Sequence, residues 1–222
     1  MVRLKTMKQL RGLKQACHFG PTLIVTAIAF AFGIYYWWEG PALVIALTVA
    51  LGQLVVGWSN DLYDYKDDLA HGRTNKPLVS GLITPQYLTK WLRFMVPLSF
   101  IANLLGPLGI KGGLVYMLGI ACGVAYNFYF KFSALSPLPY AIAFAALPSS
   151  IAISKGITPP LWMLLGGSIF GMAAHFINVI KDMEEDQISG IQGLPQRFGT
   201  KKSIIAAVTL FAFGVLALYL TM

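Results

Sequence analysis

Apolar residues run in long charge-free blocks along the 222-residue chain, separated by short polar stretches. Seven blocks are candidates to cross a bilayer: residues 19–38, 42–59, 94–110, 112–130, 138–154, 156–180 and 203–222. A spanning helix needs roughly 20 apolar residues, so 94–110 and 138–154 must be extended by their flanks. Strand-like alternation is absent, and backbone groups in lipid must bond within their own segment, so the blocks predict helices. Gly and Pro mark expected turns at Gly40–Pro41, Gly106–Pro107 and Thr158–Pro159–Pro160. The expected fold class is all-α, a polytopic membrane bundle of about seven transmembrane helices in a single domain, 1–222.

Composition narrows the class. Only 12% of residues are charged, about half the share of a soluble domain. That excludes a disordered tail, a basic nucleic-acid-binding domain and an ordinary cytosolic enzyme. The net charge of +8 then calls for a membrane explanation, with no nucleic-acid partner expected. With seven spans, fifteen of the 17 Lys and Arg fall on the side of the N-terminus, and only Lys111 and Lys155 on the other. This asymmetry places the N-terminus and its loops in the cytoplasm, in a multi-pass protein of the cytoplasmic membrane. Tyr35, Trp37 and Trp38 fit an outer aromatic belt. Cys17 and Cys122 give neither a disulfide framework nor metal-site spacing. The basic start, 1–14, leads into a block too long for a signal-peptide core, so no cleavable signal is expected.

Eight of the nine acids form two clusters at the cytoplasmic ends of spans. The first runs Asn60-Asp61-Leu62-Tyr63-Asp64-Tyr65-Lys66-Asp67-Asp68, the second Asn178-Val179-Ile180-Lys181-Asp182-Met183-Glu184-Glu185-Asp186. Asn60, Asp64 and Asp68 are spaced to line one helix face, and Asn178, Asp182 and Asp186 repeat that spacing. At the same offset of 118 residues, Asp67 pairs with Glu185, Gly72 with Gly190, Pro77 with Pro195 and Gly81 with Gly199. The chain reads as an internal duplication in parallel orientation.

Stacked carboxylates repel one another on a bare helix. Cations relieve this, and an all-oxygen set with few carboxylates suits Mg²⁺, which keeps waters and bridges to phosphates. Two such faces opposed across a bundle could hold a diphosphate through Mg²⁺. Beside each cluster lies a basic loop, Gly72-Arg73-Thr74-Asn75-Lys76-Pro77 and Gln196-Arg197-Phe198-Gly199-Thr200-Lys201. Arg73 and Lys76 are placed to bind non-bridging oxygens; taken alone, such cations are topology determinants. Tyr126 and Lys131 lie near one face of the fourth span, where Lys131 reaches either a diphosphate or the interface. Tyr126, Phe128 or Trp58 could stabilise a carbocation, although aromatics in membrane helices usually just pack. His18 reads as interfacial, His71 as a loop residue, and His175 lies one turn before Asn178.

These motifs resemble the UbiA superfamily of intramembrane prenyltransferases, in a bacterial branch. The resemblance rests on Asn60-Asp61-x-x-Asp64-x-x-x-Asp68, on Arg73-x-Asn75-Lys76-Pro77 with Gly81, and on Tyr126 with Lys131. It continues through Asp182-x-Glu184-x-Asp186, Gly190-Ile191, Leu194-Pro195 and Arg197-Phe198-Gly199. The resemblance implies helices around a central cavity near the cytoplasmic face, open to lipid. It implies Mg²⁺-dependent ionisation of a polyprenyl diphosphate and capture of the allylic carbocation by a lipophilic or aromatic acceptor. By position, Asn60, Asp61, Asp64, Asp68, Asp182 and Asp186 would hold metal. Arg73, Asn75, Lys76, Asn178 and Arg197 would bind substrate with Asn60, and Lys131 and Tyr126 would join the acids in catalysis. The family usually has nine helices, so the second half is expected to be short by two. A terpene cyclase shares these motifs, and a cation transporter or a non-catalytic scaffold remains an alternative; the sequence leaves the oligomeric state open.

Overall fold

The computed structural model describes residues 2–222, with side chains from Thr6 onward. The side chains of Arg3 and Lys5, counted above among the cytoplasmic charges, lie outside the described residues, as does Met1. Most described residues are helical, and none is in a strand. The chain divides into two compact units, residues 1–107 and 108–222.

The first unit holds α1 (Val2–Ala16), α2 (Phe19–Tyr36), α3 (Glu39–Ala70) and α4 (Pro85–Leu105). The second holds α5 (Gly109–Phe128), a 3₁₀ turn (Phe130–Phe132), α6 (Pro137–Ser154), α7 (Leu161–Ile180), α8 (Met183–Ile188) and α9 (Leu194–Thr221). Seven of these helices are long, matching the seven apolar blocks. Six are long and apolar enough to span a membrane; α4, whose first half carries Lys90 and Arg93, falls outside that set.

Local chemistry sets the ends. At the start of α4 the Thr84 hydroxyl accepts from the Tyr87 N–H at 3.2 Å, and Pro85 follows in the first turn, where it costs no hydrogen bond. The Thr158–Pro159–Pro160 stretch holds the chain extended, so the sixth apolar block becomes helical only from Leu161. The expected turn at Gly40–Pro41 is displaced: the chain turns at Trp37–Trp38, and Gly40 and Pro41 sit in the first turn of α3.

Within each unit the helices pack on small residues, as apolar helices do where lipid removes the hydrophobic drive. In unit two, α7 lies so close to α6 that a Cβ on Gly171 would sit 2.4 Å from the Tyr140 carbonyl oxygen. In unit one, Gly33 of α2 meets Ala42 of α3 in the same way.

The expected duplication is visible in the elements. Helix α2, Phe19–Tyr36, and helix α6, Pro137–Ser154, are offset by 118 residues at both ends. The end of α3 and the end of α8 close with three matching bonds: His71 N–H to Asp67 C=O, Gly72 to Leu69 and Arg73 to Asp68, against Ser189 to Glu185, Gly190 to Gln187 and Ile191 to Asp186. Both closures need a left-handed residue, and Gly72 (φ 64°) and Gly190 (φ 70°) supply it.

One expectation is overturned. Asn178, Asp182 and Asp186 do not share an unbroken helix. Helix α7 stops at Ile180, Asp182 N–H bonds back to Val179 C=O in a tight turn, and α8 begins at Met183. Asp182 is a favoured residue type for the position before a helix, and Glu184, Glu185 and Asp186 suit the positive end of the α8 dipole.

Candidate functional site

At the first motif α3 runs straight through Asn60, Asp64 and Asp68, so the three share a face as expected. The motif occupies the C-terminal end of that helix, where the dipole is negative and carboxylates are disfavoured. Cations answer this. Asp68 is 2% exposed, and its Oδ1 accepts from Arg73 Nη1 at 2.8 Å. The same nitrogen donates to Asp67 Oδ2 at 3.2 Å. Asp61, equally buried, has His18 Nε2 at 3.1 Å and Lys76 Nζ at 3.7 Å from its Oδ1. The structure thus gathers Asp61, Asp68, Arg73 and Lys76 at one helix end. Asn60 and Asp64 are half-buried beside them, and Asn75 is exposed, its carbonyl accepting from the Gln15 side chain. His71 stays local, its Nδ1 lying 3.0 Å from the Asp67 carbonyl.

Sequence reasoning placed His18 at the interface; the fold also sets it on Asp61, 43 residues away. No spacing rule could have found that contact. Neighbouring Cys17 is buried, and burial pushes its thiol up, which favours the protonated form.

The second motif is more open. Asp182 is exposed, with Lys181 Nζ 3.9 Å away and similarly exposed. Asp186 is half-buried and accepts from Gln196 Nε2 at 2.8 Å. Arg197 is exposed, and its Nε donates to the Gln192 carbonyl at 2.8 Å, which fixes the loop ahead of α9. Gln196 and Arg197 line a shallow pocket of about 360 Å³ with Gln187, Gly190, Ile191 and Gln192.

Asn178 faces a buried polar cluster that the sequence did not reveal. Its Nδ2 donates to the Tyr140 hydroxyl at 3.3 Å. The Tyr140 ring lies 4.8 Å from His175 and 5.2 Å from Tyr126. His175 is fully buried, with Nε2 2.9 Å from Ser136 Oγ, which also accepts the Leu194 N–H at 2.9 Å. Tyr126 and Lys131 do not share a helix face, because α5 ends at Phe128 and Lys131 sits in the 3₁₀ turn. Lys131 is 5% exposed, so it is enclosed by protein rather than extended to the interface. Trp58 is committed to structure, its Nε1 donating to the Leu13 carbonyl at 3.2 Å.

Among the described residues, no three His, Cys, Asp or Glu side chains converge on a point that could hold a metal ion. Along α3, carboxylates four residues apart are separated by about 6 Å of rise. An ion that arrives with a phosphate is a different matter. Mg²⁺ takes one or two carboxylates, keeps waters and binds phosphate oxygens, and the donors at both motifs are all oxygen. The residues fit an ion carried by its substrate.

Long apolar helices, with an acid-rich motif in each unit, define a polytopic integral membrane protein. Residues 19–222 match the UbiA prenyltransferase family, and the chain belongs to it. It is 29% identical over 153 residues to a 4-hydroxybenzoate octaprenyltransferase of Saccharophagus degradans, covering 67% of this chain and 50% of the relative. It is 25% identical over 188 residues to a digeranylgeranylglyceryl phosphate synthase of Hyperthermus butylicus, covering 78% and 59%. The chain thus spans between half and three-fifths of the length of these two relatives. Among solved structures, it is similar to a UbiA homologue from Archaeoglobus fulgidus bound to DMAPP and Mg²⁺, with a TM-score of 0.75 at 21% identity, covering 98% of this chain and 77% of the other. The GPP- and Mg²⁺-bound form of that homologue gives 0.72 at 20%, covering 96% and 76%. These likenesses establish the fold.

Proposed function

We propose that the chain transfers an isoprenyl group from a polyprenyl diphosphate to a lipophilic or aromatic acceptor within the membrane, on its cytoplasmic side. The observation that carries this reading is the pair of cations on the buried acids at the end of α3, Arg73 on Asp68 and Lys76 on Asp61. Such a cluster suits a group rich in negative charge that brings its own counter-ions. Support comes from the two relatives, whose names join an octaprenyl group to 4-hydroxybenzoate and geranylgeranyl groups to a glyceryl phosphate. The solved homologue held DMAPP or GPP with Mg²⁺.

The residues divide the work. Asn60, Asp64, Asp68, Asp182 and Asp186 would hold Mg²⁺, which when bound neutralises the diphosphate and improves it as a leaving group. Arg73, Lys76 and Lys131 offer charge-assisted hydrogen bonds to non-bridging oxygens, which strengthen as charge builds on the departing group. Asn75, Asn178 and Arg197 orient the substrate. The allylic C–O bond breaks, its electron pair leaving with the diphosphate. The Tyr126 ring stabilises the cation through its quadrupole. The acceptor forms the new bond and loses a proton.

The test is product analysis by mass spectrometry on purified protein in lipid nanodiscs. It would be given Mg²⁺, farnesyl or geranylgeranyl diphosphate, and a lipid extract of the source cells. Pyrophosphate together with a prenylated acceptor is expected. A cyclic hydrocarbon formed from donor alone reassigns the chain as a cyclase, and no pyrophosphate from either donor overturns the reading.

A further inference from the structure

Among the described residues, His18 is the one non-glycine residue with positive φ, at 50°. It follows Ala16 and Cys17 at the end of α1, where helices take a left-handed residue and glycine is the usual choice. A side chain there strains the backbone, because its Cβ crowds the neighbouring carbonyl. Glycine would serve the turn better, so the imidazole has to be explained by what it touches. It touches Asp61: Nε2 lies 3.1 Å from Oδ1, the oxygen that also faces Lys76 Nζ at 3.7 Å.

The corner carrying His18 is anchored to the same neighbourhood. Trp58 of α3 donates to the Leu13 carbonyl at 3.2 Å, and Gln15 donates to the carbonyl of Asn75, the residue before Lys76. Thr22 Oγ1 donates to the Cys17 carbonyl at 2.7 Å and closes the corner onto α2. Gly57 lets the Ala16–Cys17 backbone approach α3, since a Cβ there would lie 3.1 Å from the Ala16 carbonyl oxygen. The strained residue is therefore rigidly aimed, as strained residues at functional sites are when their surroundings over-determine them.

We infer that His18 is a positioning residue for the diphosphate site. It fixes the Asp61 carboxylate, and Asp61 in turn holds Lys76 in place for the substrate phosphate, so Asp61 serves as an internal counter-ion rather than as a metal ligand. This rests on the function proposed above.

Two substitutions separate backbone from side chain. His18→Gly keeps the left-handed turn and removes the donor; His18→Gln keeps a donor of similar reach and retains the strain. Steady-state kinetics with geranylgeranyl diphosphate and Mg²⁺, and thermal melting, are measured on the full chain in nanodiscs. His18→Gly relaxes the turn but takes a donor from a buried carboxylate, so it is expected to melt somewhat below wild type and to lower kcat/KM about tenfold. His18→Gln is expected to melt at or slightly below wild type and to restore kcat/KM to within about threefold of wild type. A wild-type kcat/KM in His18→Gly, or no recovery of kcat/KM in His18→Gln, overturns the assignment. Asp64→Ala separates the two levels. If it abolishes turnover while His18→Gly stays kinetically normal, only this inference falls. If wild type is as inactive as Asp64→Ala, the functional reading falls and takes this inference with it.

Discussion

The two acidic motifs began as the same pattern and solve the same electrostatic problem differently. At the first, α3 carries its carboxylates to the negative end of a 32-residue helix. Two of them, Asp61 and Asp68, are buried; Arg73 and Lys76 supply the compensating charge, and His18 contacts Asp61. At the second, the helix breaks after Ile180 and restarts at Met183, so Glu184, Glu185 and Asp186 sit at the positive end of a new dipole. There the partner of Asp186 is a neutral amide, Gln196, and Lys181 stands off from an exposed Asp182. Where Arg73 pairs with Asp68, the position 118 residues on is Ile191, which keeps the backbone bond and drops the charge. A carboxylate cluster can thus be stabilised by cations or by a helix start, and the second way leaves its acids more open to an incoming cation.

If both motifs serve one reaction, Asp64→Ala and Asp182→Ala should each cut pyrophosphate release by more than about 100-fold, as loss of a charge-stabilising group does. Full activity in the Asp182 variant alone would break the equivalence. The stability comparison comes next. Arg73→Ala strands a buried carboxylate and should cost about 3 kcal/mol in thermal or denaturant unfolding. Gln196→Ala removes an uncharged donor from Asp186 and should cost about 1.5 kcal/mol. Reversal of that order would mean that Arg73 is not what stabilises the first motif. Gly72→Ala and Gly190→Ala should each cost about 1 kcal/mol, because open space surrounds both and only the left-handed backbone resists. Unequal values would weaken the structural repeat. The smallest effect belongs to Lys181→Ala, whose exposed pair at 3.9 Å should contribute less than about 0.5 kcal/mol and vanish in salt.

Much of this was legible before any coordinates. Charge-free blocks marked the long helices, and the 118-residue offset marked the repeat down to the matched glycines at Gly72 and Gly190. The break inside the second motif was not, because a four-residue spacing reads as one helix face whether or not a turn interrupts it. Its signal was present all the same: Asp182, then three acids at 184–186, is the composition of a helix start. The end of the fourth block differs from expectation for another reason. Tyr126 and Lys131, five residues apart, would point about 140° away from each other even on an ideal helix, and the 3₁₀ turn at Phe130–Phe132 takes Lys131 off the helix altogether. Contacts such as His18 on Asp61, or Ser136 on both His175 and the Leu194 N–H, join residues 39 to 58 positions apart. Local patterns carry no information about such pairs.

The way the helices pack also bears on biosynthesis. In each unit they rest mainly on their neighbours in the chain, α3 on α2 and α4, and α6 on α5 and α7. Contacts that close over short stretches of sequence form quickly and expose little unpaired surface while synthesis continues. The first 107 residues can therefore settle into the lipid as a unit while the ribosome is still adding the second set of helices, so a truncating lesion after Pro107 should leave a folded remnant rather than an aggregate.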